Sequence, residues 1–163
     1  MKNGAMFTSN SVEWYTPDDL FESLEREFGP FDLDPCAGPD AKPRGQQRYG
    51  TEVWSGLAFP WRGKVYCNPP YGRPLPQWVA KAEESAKAGA TVVMLLPART
   101  DTKWWHRHIW DSRIHGPRNG VEIRFIEGRI KFANSKWNAP FPSVIVVFRT
   151  DAGGQRAPLE HRP

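Results

Sequence analysis

The chain has 163 residues, of which 25% are charged and 39% apolar, with a net charge of +4 and a pI of about 9.2. No apolar run approaches the ~20 residues that cross a bilayer, and the N-terminus lacks the long apolar stretch of a signal peptide, so we expect a soluble globular protein. Two cysteines are too few for a disulfide framework, which favours a reducing cytoplasm, and the mild positive charge is compatible with a polyanionic partner.

Periodicity and capping residues predict helices that alternate with strands. Thr16 is the expected N-cap of the first helix, and Thr100 or Asp101 the expected cap of the last. The predicted helices cover residues 17–28, 76–90 and about 101–110. The predicted strands cover residues 31–34, 64–67, 91–96, 122–126 and 143–148. Residues 38–50 are predicted to form a loop, and residues 128–132 to continue or turn the fourth strand.

This alternation predicts an α/β fold with an abbreviated, mostly parallel sheet and an antiparallel final strand. The run 91–96 is continuously apolar, as in a central strand buried on both faces. Only about thirty residues separate the first two strands, so at most one further helix–strand unit fits between them. We expect a single domain over residues 1–150, with a loose start at 1–12 and a disordered tail at 151–163.

The tetrapeptide Asn68-Pro69-Pro70-Tyr71 directly follows the strand at 64–67. Open α/β sheets bind ligands just past the carboxyl ends of strands, which favours a functional site over an ordinary extended turn. An Asn oxygen and a backbone carbonyl suit an amino group conjugated to a ring, because two acceptors relocalise the nitrogen lone pair for methyl transfer. The prolines stiffen the turn and remove donors, and Tyr71 offers a face on which an extruded base can stack.

Two further groups of side chains are predicted to be structural. Cys36 and Cys67 each stand beside a strand end, so we expect them close together as small buried fillers. The histidines near residues 106–115 have poor spacing for zinc, and no metal site is expected.

Six segments, in this order, resemble the small phage-type DNA N-6-adenine methyltransferases over roughly residues 14–148. They are residues 14–17, 31–37, 64–71, 95–104, 128–132 and 139–144. The resemblance implies a Rossmann-like methyltransferase fold, S-adenosylmethionine as methyl donor, and adenine in DNA, flipped into the site, as acceptor. It implies a cytoplasmic location in a bacterial or phage-infected cell. The implied catalytic residues are Asn68, Pro69, Pro70 and Tyr71, with the adenine N6 between the Asn68 side chain and the Pro69 carbonyl.

The same resemblance implies two cofactor-binding segments. One comprises Trp14, Tyr15, Thr16 and Pro17, which close over the methionine end of the cofactor. The other comprises Asp34, Pro35, Cys36 and Ala37 at a strand end. The Gly-rich turn of larger methyltransferases is reduced to a lone Gly38. Glu52 is a candidate for holding the ribose, but a solvated surface residue is the favoured interpretation. We therefore expect a shallow pocket, or one completed by substrate or by a second subunit of a homodimer.

Five residues are candidates for contacting DNA: Arg99, Arg129, Lys131, Lys136 and Trp137. Arg99 follows the central strand and would meet a phosphate at the cleft mouth. Arg129 and Lys131 flank one residue and point to one face, which suits either a DNA-contacting edge or plain solvent exposure. Two alternatives stay open: a methyltransferase for an RNA base or a protein glutamine, and a non-catalytic DNA-binding module.

Overall fold

The computed structural model of the protein describes residues 14–38, 42, 44–48 and 55–150. The predictions about residues 1–12, Glu52 and the tail 151–163 fall outside these ranges. No helix within the described ranges is long and apolar enough to span a membrane.

The first helix, α1, covers Asp18–Phe28 and buries Phe21 and Leu24 against the sheet. Two acidic residues in its first turn complement the helix dipole, and it ends where the Gly29 N–H donates to the Glu25 carbonyl. The N-cap position is Pro17, which has no side-chain cap. The prediction of Thr16 as N-cap was therefore wrong, because the Thr16 hydroxyl is engaged with side chains of the sheet.

The described chain forms a six-stranded mixed sheet and a separate two-stranded pair. In chain order the strands are β1 (Leu33–Asp34), β2 (Gln47–Arg48), β3 (Lys64–Cys67), β4 (Thr91–Pro97), β5 (Trp110–Asp111), β6 (Gly116–Pro117), β7 (Val121–Phe125) and β8 (Ser143–Phe148). The main sheet has the order β2-β1-β3-β4-β8-β7. β1 to β4 are parallel and β8 is antiparallel to both of its neighbours, which confirms a mostly parallel sheet with an antiparallel final strand.

Strand β2 lies within the segment predicted to be a loop, and that prediction was wrong for its two residues. β2 pairs with β1 through Leu33–Gln47 and Asp34–Arg48. Gly45 permits this approach, since a Cβ there would lie 2.5 Å from the carbonyl carbon of Leu33. Together with the short helix α2 (Ser55–Ala58), β2 fills the interval between β1 and β3, so the sheet is abbreviated as predicted.

Two further helices can be compared with the helices predicted from the sequence. Helix α3 covers Leu75–Lys87 and packs on β4, close to its predicted range. Helix α4 covers Lys103–His108, and its cap is Thr102, whose Oγ1 accepts from the Trp105 N–H at 3.4 Å. The capping prediction for Thr100 or Asp101 was wrong, because the chain makes another turn after β4 before the helix begins.

The strand order reverses between β1 and β3, and this reversal positions the site. From β1 the chain moves outward to β2, whereas from β3 it moves in the opposite direction to β4. Loops that leave the two strands therefore part and open a crevice at their carboxyl ends. The next two strands of the sheet, β4 and β8, are buried along almost their whole length.

Candidate functional site

A pocket of about 290 Å³ lies at the carboxyl ends of β1 and β3. Its walls come from the segment before α1, the residues after β1 and the turn after β3. The lining residues are Trp14, Tyr15, Thr16, Asp18, Asp34, Cys36, Ala37, Gly38, Lys42, Arg44, Tyr66, Asn68, Pro69, Pro70 and Ala133. The structure thus brings together segments that are more than fifty residues apart in the chain.

Most of the residues predicted for the site meet in this pocket. Among those predicted to bind the cofactor, the lining includes Trp14, Tyr15, Thr16, Asp34, Cys36 and Ala37. Pro17 and Pro35 are not part of the lining, and neither is Tyr71. The individual roles of these residues stay predictions.

Asn68 carries the most informative side chain of the pocket. Its Nδ2 donates to the main-chain oxygen of Trp14 and, at 3.1 Å, to Oγ1 of Thr16. A carbonyl oxygen can only accept, so this contact fixes which end of the amide is the nitrogen. Within the part of the chain that the structure describes, the buried Asn68 Oδ1 has no hydrogen-bond partner. An unpaired buried acceptor costs about 1–3 kcal/mol, and a donor from a ligand would recover that cost.

Tyr71 supports the turn and does not line the pocket. Its ring is 4% exposed, and its hydroxyl donates to the Leu95 carbonyl at 3.1 Å. Phe141 meets it edge-on at 5.5 Å, and Phe132 lies 6.4 Å away. Stacking of a base on Tyr71 stays a prediction, and it requires that the neighbouring rings uncover Tyr71.

Asp34 is a buried carboxylate, 5% exposed, at the end of β1. Burial raises its pKa to about 6, although the backbone N–H groups of Arg44 and Cys36 donate to its oxygens at 3.0 and 3.3 Å and oppose this rise. Such a group stays charged at neutral pH at a cost in free energy, and a cation beside it would recover that cost.

Arg44 is a site residue that the sequence prediction missed. Its guanidinium is buried, donates to the Thr16 carbonyl at 2.9 Å and to the Asp18 carboxylate at 2.5 Å, and lies 4.6 Å from the centre of the Phe21 ring. It thereby ties the segment before α1 to the end of β1. An arginine within a Gly- and Pro-rich loop gives no periodic signal, so only its position three residues before β2 could have indicated burial.

The two cysteines lie side by side, as predicted, and Cys36 alone of the two lines the pocket. Their Sγ atoms are 3.4 Å apart, and both are free thiols. Burial raises the pKa of each thiol, most strongly that of Cys36, so neither is poised to act as a thiolate nucleophile.

The residues predicted to contact DNA are all exposed and lie outside the pocket. Trp137 is 80% exposed, and its loop is tied to the segment before α1 where the Ala133 N–H donates to the Tyr15 carbonyl at 2.8 Å. Arg129 and Lys131 alternate with the buried Ile130 and Phe132, so they share one exposed face although no strand forms there.

Comparison with known proteins identifies the family of the chain. A family model described as DNA N-6-adenine-methyltransferase (Dam) matches residues 6–153. The chain belongs to this family. A DNA N-6-adenine-methyltransferase of Haemophilus phage HP1 (strain HP1c1) is 32% identical over 148 residues, which cover 85% of this chain and 79% of that protein. Another of the same name, from Escherichia phage T1, is 33% identical over 117 residues, covering 70% of this chain but only 44% of the phage protein.

These matches confirm the family that the motifs indicated. The pocket of this Dam-family chain contains three chemical features within one crevice: an amide oxygen with no partner among the described residues, a buried carboxylate and a stiff proline turn. The amide oxygen can accept a hydrogen bond from an amino group, and the carboxylate can bind a cationic ligand. Among the described residues, no group of three or more acidic, histidine or cysteine side chains is arranged to hold a metal ion.

Proposed function

We propose that the protein transfers a methyl group from S-adenosylmethionine to the N6 amino group of adenine in DNA. The observation that carries this proposal is the buried Oδ1 of Asn68 in the wall of the pocket, an acceptor that has no partner among the described residues. Family membership supplies the substrate class, because the phage relatives are named DNA N-6-adenine-methyltransferases.

Asn68 and Pro69 would act on the acceptor nitrogen. The adenine amino group has two N–H donors, and its lone pair is delocalised into the ring. If one N–H donates to the Asn68 Oδ1 and the other to the Pro69 carbonyl, positive charge that develops on N6 is stabilised by dipoles already in place. A proton leaves to water after transfer, so no general base is required.

The residues around the pocket fit the proposed cofactor. When bound, S-adenosylmethionine supplies an electrophilic methyl group on a sulfonium. The Asp34 carboxylate would hold its amino group, and the exposed Lys42 would meet its carboxylate. A volume of about 290 Å³ is at the lower end of ligand pockets, consistent with a shallow site that the substrate completes.

The sheet supports the proposal that the fold is a Rossmann-like methyltransferase fold. Its order reverses between β1 and β3, and the pocket lies at that reversal, where doubly wound sheets bind nucleotide-like ligands. Interactions with DNA would come from the exposed basic residues at 99, 129, 131 and 136 and from Trp137. We place this reaction in the cytoplasm, where DNA and cofactor are available, and a homodimer is one way to complete the DNA surface.

The direct test is a methylation assay with purified protein, S-adenosylmethionine and unmethylated duplex DNA. Digestion to nucleosides followed by mass spectrometry should detect N6-methyldeoxyadenosine. Asn68→Ala should lower its formation by at least about 100-fold, because a preorganised transition-state contact is lost. The exposed Asn119→Ala, on the turn before β7, is the matched control and should keep the wild-type rate.

The outcomes separate the candidate activities. N6-Methyldeoxyadenosine from wild type and from Asn119→Ala, with almost none from Asn68→Ala, supports the proposal. Cofactor binding by calorimetry without any methylated base would contradict DNA as the acceptor. Absence of both binding and methylation would contradict enzymatic activity.

A further inference from the structure

The Asn68 amide can occupy its site in two orientations that have nearly the same shape. Rotation of the amide by 180° exchanges Oδ1 and Nδ2 with almost no change in volume, yet only one orientation leaves an acceptor for a substrate amino group. In the structure, both Nδ2 protons have acceptors, the Trp14 carbonyl and the Thr16 hydroxyl oxygen. The segment before α1 therefore selects the orientation.

Of the two contacts that orient the Asn68 amide, only the one with Thr16 can be removed by a side-chain substitution. The Trp14 acceptor is a main-chain atom that no side-chain substitution removes, whereas Thr16 contributes through Oγ1, 3.1 Å from Asn68 Nδ2. The same Oγ1 lies 2.7 Å from the hydroxyl oxygen of Tyr66, which rises from β3. Thr16 thus links the catalytic turn to the buried strand beneath it.

The backbone that carries the Thr16 side chain is held by hydrogen bonds to two successive carbonyl groups. Arg44 donates to the Thr16 carbonyl, and the Ala133 N–H donates to the carbonyl of the preceding residue, Tyr15. Thr16 is 5% exposed, so water cannot replace its hydroxyl as an acceptor. A valine there would keep the shape of the side chain and remove only the oxygen.

From these contacts we infer that Thr16 is a positioning residue for catalysis: its Oγ1 accepts from Asn68 Nδ2 and holds the amide in the orientation that the Trp14 carbonyl selects, with Oδ1 presented to the substrate amino group. This role rests on the proposed function. It is distinct from the helix-capping and cofactor-binding roles that the sequence suggested for Thr16. The orientation is present before any ligand binds, because each partner is part of the chain.

Single-turnover methylation separates this role from a structural one. With saturating cofactor and DNA, Thr16→Val should transfer the methyl group about tenfold more slowly, the loss expected for one steering hydrogen bond. Thr16→Ser should restore most of the rate. Cofactor affinity, measured by calorimetry, should change by less than about threefold in both variants. Thr150→Val, which removes a hydroxyl bonded to the Ala86 carbonyl away from the pocket, is the matched control and should react at the wild-type rate.

A second variant tests the link to the strand. Tyr66→Phe leaves Thr16 without its hydroxyl partner and should slow transfer less than Thr16→Val does. Thermal unfolding of every variant shows whether a lower rate accompanies loss of the fold. A wild-type rate in Thr16→Val would overturn the inference, and so would a loss of cofactor affinity equal to the loss of rate.

An NMR measurement tests the orientation without turnover. The Asn68 side-chain NH₂ resonances, identified by their absence in Asn68→Ala, should shift in Thr16→Val and return toward wild type in Thr16→Ser. Unchanged resonances in Thr16→Val would contradict the hydrogen bond and the inference. If the wild type methylates no DNA, the proposed function fails and the positioning role fails with it. A wild type that methylates DNA beside a fully active Thr16→Val refutes the positioning role alone.

Discussion

At the residue scale, the buried carboxylate of Asp34 makes stability depend on pH. Burial raises its pKa from an ordinary 3.8 to about 6, so between these values the folded protein binds more protons at this site than the unfolded chain does. Its contribution to stability is therefore complete below about pH 4 and is lost as the pH rises through about 6, by up to roughly 3 kcal/mol. Urea unfolding between pH 4 and pH 7 should show this loss in the wild type relative to Asp34→Asn.

The comparison with Asp34→Asn matters because other carboxylates act in the opposite direction. Arg113 holds the pKa of Asp111 well below its ordinary value, so stability from that pair increases with pH. The difference between wild type and variant cancels such contributions. If this difference were constant from pH 4 to pH 7, Asp34 would not have a raised pKa in the folded protein.

Two residues predicted for the site, Asp34 and Asn68, line one pocket because the carboxyl ends of parallel strands meet at one edge of a sheet. Asp34 was predicted from the family resemblance and Asn68 also from its place after a strand, and the roles of both stay predictions. Arg44 and Tyr66 were missed, since their importance depends on partners 28 and 50 residues away, which no local pattern encodes. The predicted cap at Thr16 was wrong, because the N-cap position is Pro17 and the Thr16 hydroxyl contacts Tyr66 and Asn68.

At the element scale, the cap of α4 distinguishes the observed helix start from the predicted one. Thr102 accepts from the Trp105 N–H, whereas Thr100 lies in the preceding turn. Thr102→Ala should lower the free energy of unfolding by about 1 kcal/mol, and Thr100→Ala should change it by less than about 0.5 kcal/mol. Denaturant titrations of both variants make the measurement, and equal effects would contradict the assigned cap.

Long elements were predictable and short ones were not. β4 and β8 carry continuous apolar runs, and α3 has a clear apolar face, so their predicted and observed ranges nearly coincide. β2 has two residues and no pattern of its own; its place is set by the close approach of Gly45 to β1. Residues 129–132 alternate like a strand but pair with no neighbour in the sheet, because Ile130 instead accepts from the Ala139 N–H of the returning loop.

At the scale of the whole molecule, a basic surface should give DNA binding a measurable salt dependence. Lys131 and Lys136 are exposed. If each contacts a phosphate, Lys131→Gln and Lys136→Gln should each reduce the slope of log K against log salt concentration by about 0.9. Lys87→Gln, at the end of α3 and paired with Glu83, is the control with the same change of charge. Fluorescence anisotropy with labelled duplex gives these slopes, and the same slope for all three variants would argue against phosphate contacts at residues 131 and 136.

The place of β8 in the sheet has a consequence for how the protein is made. β8 is the last strand along the described chain, yet it lies between β4 and β7 and pairs with both. A ribosome releases it after every other strand, so until then one side of β4 has no partner and the apolar centre of the sheet is incomplete. Acquisition of the native fold is therefore tied to the synthesis of β8, and a nascent chain arrested before residue 143 should remain sensitive to protease.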